Sequence, residues 1–184
     1  MQSPSKGLFK QSHTVEELAK IYAANGARML SVHTDPHFLG KNEDIPMVKS
    51  IVDIPVMRKE FIIDEYQIYE SRMLDADAVL LIARILTKEQ LKHFLYLTWS
   101  LCMDALIEVH DEEDMAKSLA TPARFIGINN RNLKYFQTTI QNTLDLLPVA
   151  DRSRILISES GINTLEEAKM LREAGLKGIL EGEG

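Results

Sequence analysis

The feature that most limits the possible folds of this chain is a regular alternation of short apolar runs and longer amphipathic patterns. The run Ala78–Ile82 is apolar throughout, as in a buried parallel strand, and a capping box at Thr87 and Gln90 then opens a helical pattern. This unit recurs every ~20 to 30 residues, which indicates a parallel sheet with helical crossovers. Strands are predicted at 28–33, around Lys59, and at 78–82, 104–109, 125–129, 154–158 and 178–181. Helices are predicted at 14–26, 46–52, 64–74, 87–101, 111–119, 139–147 and 164–175.

Two α/β architectures accommodate seven such strands preceded by a helix. One is an open doubly wound sheet, and the other is a closed barrel of eight strands, which typically takes ~250 residues. A doubly wound nucleotide-binding sheet carries a glycine-rich turn after its first strand, and none follows the first predicted strand. The position of the polar residues favours the barrel. The predicted fold is therefore a TIM (β/α)8 barrel, forming a single domain over residues 1–184.

In four predicted strands, the last residue on one face has a polar side chain. Alternate residues of a strand face the same way, so the last residue on each face can be followed from unit to unit. Lys59 ends one such series, and Glu108, Asn129 and Glu159 end the series of three later strands. In a barrel, the carboxyl ends of the strands meet at the active-site mouth. These four residues are the predicted catalytic set.

Each of the four residues also has a local interpretation. Lys59 lies within three consecutive charges, 58–60, and is either solvated at a strand end or paired with an acid or a substrate. Glu108 could be a solvated strand end, Asn129 a turn former, and Glu159 an acid at a helix N-terminus. Four independent local explanations are less expected than one shared site.

Two glycine-containing loops are candidates for phosphate binding. Ser160 and Gly161 follow one of the last two predicted strands and 182–184 follow the other, where barrels of this kind commonly bind phosphate. Backbone N–H groups of small residues can approach a phosphate oxygen, although both loops also fit ordinary glycine turns. Arg131 offers a guanidinium suited to a carboxylate or phosphate, or is a surface arginine. The opening loop, 3–7, offers two hydroxyls but lacks the glycine spacing of a Walker motif.

Composition argues against several kinds of partner. The net charge of -6, without a basic cluster, argues against nucleic acid. No segment has the apolar length of a membrane span or a signal-peptide core, so a cytoplasmic protein is expected. The single cysteine, Cys102, excludes an internal disulfide and is expected to pack among its apolar neighbours. His33, His37 and His110 are not spaced as a metal site, so no metal is expected.

Five segments together closely resemble the indole-3-glycerol phosphate synthase family. In chain order they are Ser-Pro-Ser-Lys-Gly, Arg-Lys-Glu-Phe-Ile-Ile-Asp-Glu-Tyr-Gln-Ile-Tyr-Glu, Ile-Glu-Val-His-Asp, Gly-Ile-Asn-Asn-Arg-Asn-Leu and Ser-Glu-Ser-Gly-Ile. The resemblance extends over nearly all 184 residues. It implies a carbon-carbon lyase of tryptophan biosynthesis that closes the indole ring of 1-(2-carboxyphenylamino)-1-deoxyribulose 5-phosphate, with loss of carbon dioxide and water. It implies no cofactor and no metal.

The same resemblance implies roles for individual residues. Lys59 matches a general acid that contacts the substrate carboxylate, and Glu108 matches an essential acidic residue. Asn129 and Glu159 match groups that orient the sugar-derived chain and the developing ring. The implied substrate-binding positions are Phe61 for the aromatic ring, Arg131 for its carboxylate, and Ser3, Ser160, Gly161, Gly182 and Glu183 for the phosphate.

The chain departs from the family pattern at its ends. In the family, a first strand carrying a glutamate and a second lysine precedes the Ser-Pro-Ser segment, and a last helix follows the point where this sequence stops. The resemblance therefore implies an incomplete barrel, with the first strand and last helix missing, and weak or no turnover. A missing strand exposes two sheet edges, through which chains could self-associate.

Three internal positions also depart from the family. Asp75 and Cys102 stand where the family usually has glycine, and Glu181 stands where it has an apolar residue. If the carboxylate of Glu181 points inward, it should repel a bound phosphate.

Two other functions stay open at this point. The chain could be another phosphate-binding barrel, such as a sugar-phosphate isomerase, which would use an acid and a cysteine base and should not depend on Lys59. It could also be a non-catalytic fragment that binds a phosphorylated ligand. Binding without turnover would favour the fragment.

Overall fold

The computed structural model describes residues 13–131 and 138–182, together with the backbone of 2–3, 7–8, 132 and 137. The helices are α1 Val15–Ala24, α2 Asp44–Lys49, α3 Glu65–Met73, α4 Lys88–Ser100, α5 Glu112–Leu119, α6 Gln141–Leu146 and α7 Leu165–Glu173. The strands are β1 Gln2–Ser3, β2 Gly7–Leu8, β3 Leu30–His33, β4 Val56–Lys59, β5 Ala78–Ile82, β6 Asp104–Val109, β7 Phe125–Asn129, β8 Arg131–Asn132, β9 Gln137–Thr138, β10 Ile155–Glu159 and β11 Gly178–Leu180. Short 3-10 helices occur at Pro36–Phe38, Ala83–Ile85 and Leu147–Val149.

Seven strands form one sheet in the order β11-β10-β7-β6-β5-β4-β3. This order follows the chain without a reversal, whereas a doubly wound sheet reverses its strand order at a switch point. The sequential order and the intervening helices are those of an incomplete TIM barrel, and the predicted fold class is confirmed. The predicted strands and helices all form, with ends that differ by a few residues. Two antiparallel pairs, β1 with β2 and β8 with β9, were not predicted.

Helix starts follow the local sequence closely. Thr14 and Thr164 each accept a hydrogen bond from the backbone N–H of a glutamate three residues on. The side chain of that glutamate accepts the backbone N–H of the threonine, so both pairs form capping boxes. Thr87 and Gln90 exchange the same pair of bonds at the start of α4. A further capping box, formed by Asp64 and Gln67, opens α3 directly after the charged strand.

The chain divides into two compact units, and each has its own buried apolar side chains. The first unit comprises residues 1–80 and 96–104, and the second comprises 81–95 and 105–184. The core of the first unit includes Ile45, Val48, Val56, Met57, Ile62, Ile68 and Val79. The core of the second includes Leu91, Leu95, Ile107, Met115, Ile126, Ile128, Leu156 and Leu171. Within the described part of the chain, no helix combines the length and apolar character that a membrane span requires.

Four helices end with the same left-handed turn, and glycine occupies only two of these turns. Gly26 and Gly175 take φ values of 88° and 102°, while Asp75 and Cys102 take 66° and 58°. In each turn, the backbone N–H of this residue bonds a carbonyl near the end of the preceding helix. A residue with a Cβ is strained in this conformation by about 1–2 kcal/mol. This strain explains why glycine suits these positions. Asp75 gains a partial offset from its 3.0 Å ion pair with Arg72.

The prediction that Cys102 packs in the core is wrong. Its thiol is free and the residue is exposed. The neighbouring sequence is apolar, but the left-handed turn between α4 and β6 carries the Cβ of this residue to the surface while Met103 beside it is 3% exposed. The constraint at position 102 is therefore conformational.

Replacing Cys102 with glycine should raise the free energy of unfolding by about 1 kcal/mol, because glycine adopts a positive φ without steric cost. Cys102→Ala is the matched control, since it removes the thiol and keeps the strained Cβ. Chemical denaturation of the three proteins measures the effect. Equal stability of the glycine and alanine variants would contradict the strain.

Candidate functional site

The predicted catalytic residues divide between the two units. Lys59 ends β4 in the first unit, and Glu108, Asn129 and Glu159 lie at the ends of β6, β7 and β10 in the second. Among the predicted substrate-binding residues, Phe61 belongs to the first unit, whereas Arg131, Ser160, Gly161 and Gly182 belong to the second. The side chain of Ser3 and the whole of Glu183 lie outside the described residues.

The strand register puts three of these polar side chains on one face of the second unit. Glu108 is aligned with Gly127, and Asn129 with Glu159, in a parallel sheet. Aligned residues of parallel neighbours face the same side, and so do residues two apart on one strand. Glu108, Asn129 and Glu159 therefore share one face at the carboxyl ends of three adjacent strands.

The carboxylate of Glu159 lies over Gly127. A Cβ built on Gly127 would be 1.7 Å from Glu159 Oε1 and 2.8 Å from Cδ, so the space above this glycine is filled by the acid. Because Gly127 is the residue aligned with Glu108, the two carboxyl side chains occupy adjacent positions on the face. The missing side chain at 127 is what makes room for the pair.

Burial bears on one of the local interpretations. Glu108 is 5% exposed, so it is not a solvated strand end, and Glu159 is 0% exposed. Asn129 is buried too, and its Oδ1 accepts the backbone N–H of Arg131 at 2.9 Å, as expected of a turn former. The amide oxygen of Asn129 thus shapes the turn.

A chain of charged side chains extends from Glu108 away from the face. His110 Nε2 lies 3.2 Å from Glu108 Oε1, and His110 Nδ1 lies 3.5 Å from Asp114 Oδ2. Asp114 in turn lies 3.4 Å from Arg84 Nε. His110 and Asp114 are both nearly buried, so these contacts form in a region of low dielectric constant, where charges interact strongly. The imidazole is a proton donor suited to orienting Glu108.

The pKa of the Asp114 carboxyl is lower than its ordinary value. Burial alone raises this pKa, but hydrogen bonds from the side chain and backbone of His110, together with the charges of Arg84 and His110, outweigh burial. Asp114 is therefore held as a carboxylate. Sequence reasoning missed this chain of contacts. The spacing from 108 to 114 across a strand end and a helix start was the available signal.

Two asparagines fix the loops that carry the site. Asn142 Nδ2 donates to the carbonyls of His110 and Asn129, at 3.2 and 2.7 Å, and so joins the ends of β6 and β7. Asn130 is fully buried, and its Nδ2 donates to Ser158 Oγ and to the carbonyl of Ser160, both at 2.9 Å. These bonds hold the polypeptide that follows β7 and β10 in one conformation.

In the first unit, adjacent residues of β4 face opposite sides. Arg58 points to α3, where its guanidinium donates to Gln67, Ser71 and Glu70 of that helix. Lys59 is half-buried and faces the other way, on the side of its aligned neighbour His33. Among the described residues of this unit, no acid lies within ion-pair distance of the Lys59 amine.

An aromatic group lies on the same side of the first unit. The rings of His33 and Phe38 have centroids 5.7 Å apart, and those of Phe38 and Phe61 are 6.2 Å apart. Phe61 is 45% exposed, so one surface of its ring is open to contact. Stacked or tilted aromatic contacts of this kind suit a flat aromatic ligand.

Two cavities among the described residues lie away from these side chains. One of about 660 Å³ is lined on the Arg58 side of the first unit by residues that include Thr34, Asn42 and Glu60. Another of about 320 Å³ lies at the amino ends of β7 and β10, beside Arg124. Neither is lined by Lys59 or by the acids of the second unit. Among the described residues, no group of His, Cys, Asp and Glu is arranged to hold a metal ion.

The space above Gly127 gives a first prediction. Gly127→Ala should lower the free energy of unfolding by about 1–3 kcal/mol, because the new methyl group must displace the Glu159 carboxylate. Gly178→Ala is the matched control, since its Cβ would meet Ile157 at an ordinary 3.6 Å. Thermal denaturation compares the two. Equal effects would show that Glu159 does not lie over Gly127.

The charge of Asp114 gives a second prediction. Asp114→Asn should cost ~1–3 kcal/mol of stability at neutral pH, since the nearly buried His110 and the exposed Arg84 lose a charged acceptor. The pKa of this group is lower in the folded protein, so its contribution is complete above the ordinary value of about 4 and is lost as pH falls below it. The stability difference between the two proteins should therefore shrink in acid. Asp53→Asn, at an exposed residue, is the control, and a difference independent of pH would refute the assignment.

Comparison with known proteins concerns the family and the fold of the chain. The model of the family described as indole-3-glycerol phosphate synthase matches residues 1–184. A protein of that name from Lachnoclostridium phytofermentans is 47% identical over 182 residues, which are 98% of this chain and 67% of the relative. One from Carboxydothermus hydrogenoformans is 46% identical over 98% of this chain and 69% of its own length.

A solved structure supports the fold independently of sequence. The crystal structure of KGPDC from Streptococcus mutans superposes with a TM-score of 0.68, covering 89% of this chain and 79% of that one. At 9% identity this likeness concerns the fold alone. Family membership is shown by the family match over the whole chain and by sequence identities above 45% to proteins of that family. The chain belongs to the indole-3-glycerol phosphate synthase family.

Proposed function

We propose that this chain catalyses the reaction of its family with weak turnover, converting 1-(2-carboxyphenylamino)-1-deoxyribulose 5-phosphate into indole-3-glycerol phosphate, carbon dioxide and water. The observation that supports the proposal best is the row of Glu108, Asn129 and Glu159 on one buried face at the strand carboxyl ends. Barrel enzymes build their active sites at these ends.

The reaction needs proton donors and acceptors but no electron carrier. The ring carbon that bears the carboxylate bonds to the ketone carbon, and the ketone oxygen takes a proton. Loss of carbon dioxide returns its bonding pair to the ring. The new hydroxyl then takes a second proton and leaves as water. The carbon between the former ketone carbon and the nitrogen loses a proton, and the indole double bond forms. One proton is taken up from solvent in total.

In this proposal the Lys59 amine donates a proton to the oxygen of the ketone and contacts the substrate carboxylate. Its half-buried position without an acidic neighbour in its own unit suits both tasks. The Glu108 carboxylate accepts the proton lost from carbon, and the His110 ring lies beside it, with Nε2 3.2 Å from Glu108 Oε1. Asn129 and Glu159 orient the sugar-derived chain and the developing ring.

The remaining roles concern substrate binding. Phe61 packs on the aromatic ring, and Arg131 lies near the carboxylate that is lost. The phosphate is held by the loops that follow β10 and β11, with Ser3 contributing from the start of the chain. The proposed phosphate ligands are Ser3, Ser160, Gly161, Gly182 and Glu183.

The family match favours this function over a sugar-phosphate isomerase or a non-catalytic fragment. A cytoplasmic location belongs to the same proposal, since the single Cys102 carries a free thiol, which suits a reducing compartment. Self-association through strand edges is part of it too, because β3 and β11 end the strand order of the sheet.

The assignment is tested by replacing the proposed acid and base. Lys59→Ala and Glu108→Gln should each lower kcat for indole formation, followed by its fluorescence, by about 100-fold or more. Lys88→Ala, at an exposed residue that starts α4, is the control and should leave kcat unchanged.

Binding separates the competing outcomes of this experiment. Calorimetry with a non-reacting analogue, in which the substrate ketone is reduced to an alcohol, should show that Glu108→Gln still binds. Full indole formation by Lys59→Ala would refute the role of the amine. If the unmodified chain shows no turnover and does not bind the analogue, the proposed function is overturned.

A further inference from the structure

The carboxylate of Glu181 connects the two loops that were predicted to bind phosphate. Its Oε2 accepts the backbone N–H of Ile162 at 3.1 Å, and its Oε1 accepts that of Gly182 at 3.2 Å. Ile162 follows Ser160 and Gly161 in the loop after β10, whereas Gly182 lies in the loop after β11. An anionic group of the chain thus lies where both loops direct backbone donors.

The donors of these loops are held in fixed positions. Ser160 takes φ 65°, and Gly161 follows it with φ 73°. The N–H of Ser160 donates to the carbonyl of Leu180 at 3.0 Å, which ties the first loop to the end of β11. The carbonyl of Ser160 accepts the amide of Asn130. The N–H of Ile162 is therefore presented by a constrained turn.

A carboxylate and a phosphate both accept hydrogen bonds from backbone N–H groups of this kind. Backbone N–H groups around small residues bind either anion through its oxygens. Each N–H makes one good hydrogen bond, so Ile162 and Gly182 cannot serve Glu181 and a phosphate fully at once. If the carboxylate stayed in place, two like charges would lie within a few ångströms, where they repel.

We propose that Glu181 is an internal competitor for the phosphate-binding site, so that a phosphorylated ligand must displace its carboxylate from Ile162 and Gly182. The inference rests on the proposed function, because it concerns the same phosphate loops. It makes Glu181 a determinant of phosphate affinity in this chain. An uncharged residue at this position would leave the donors to the ligand.

The test uses inorganic phosphate as the probe and two variants of the full chain. Glu181→Gln keeps the size of the side chain and removes its charge, and Glu181→Ile removes its acceptors as well. Glu173→Gln makes the same charge change at an exposed residue at the far end of α7 and serves as the control. Titrations followed by amide NMR give the affinity and, from the Ile162 and Gly182 signals, the place of binding.

Both Glu181 variants should bind phosphate at least tenfold more tightly than the unmodified chain, with shifts of the Ile162 and Gly182 amides, while Glu173→Gln should match the unmodified chain. Equal phosphate affinity in all four proteins would overturn the inference and leave the phosphate site of the proposed function intact. Phosphate binding by none of them, with native amide spectra, would overturn both. If one variant fails to fold, the other still decides the outcome.

Discussion

The alignment of the parallel strands is the constraint on which the candidate site depends. Because β6, β7 and β10 are paired so that Glu108 meets Gly127 and Asn129 meets Glu159, their polar ends face one way. A shift of one strand by a single residue would turn its whole series to the opposite face. The apolar residues between the polar ends, such as Ile126 and Ile128, are fully buried and fix this alignment. The core thus specifies the site as well as the fold.

The charged run in β4 shows how alternation can reconcile adjacent charges with a buried strand. Arg58 is 3% exposed, yet every N–H of its guanidinium has an acceptor. Full satisfaction of a planar five-donor group offsets its desolvation, which a lysine at the same position could not do. Arg58 therefore joins β4 to α3. Because residues alternate, the same bonds set the direction of Lys59.

Local signals in the sequence were sufficient for much of the fold. The apolar runs predicted the seven sheet strands, and the capping boxes at Thr14 and Thr164 predicted helix starts, because both depend on residues close together in the chain. The row of polar strand ends also followed from a period of two. Its members in the second unit do share a face, since strand alternation is a local property that tertiary contacts preserve.

What the sequence did not reveal depends on contacts between distant residues or on backbone conformation. The links of Asn142 to His110 and of Asn130 to Ser160 span about 30 residues, so no local pattern announces them. The exposure of Cys102 follows from a left-handed turn that its apolar neighbours conceal. The antiparallel pair of β8 and β9 involves only two residues on each side, too few to show a period.

The contact between Glu159 and Gly127 has a consequence for how this region can change in evolution. Any side chain at 127 meets the acid, so a larger residue there requires the Glu159 side chain to shift or to be replaced by a shorter one. A substitution at 127 that comes before one at 159 passes through a strained intermediate. The two positions are therefore epistatic, and in sequences that diverge from this one we expect their substitutions to appear together or with the change at 159 first.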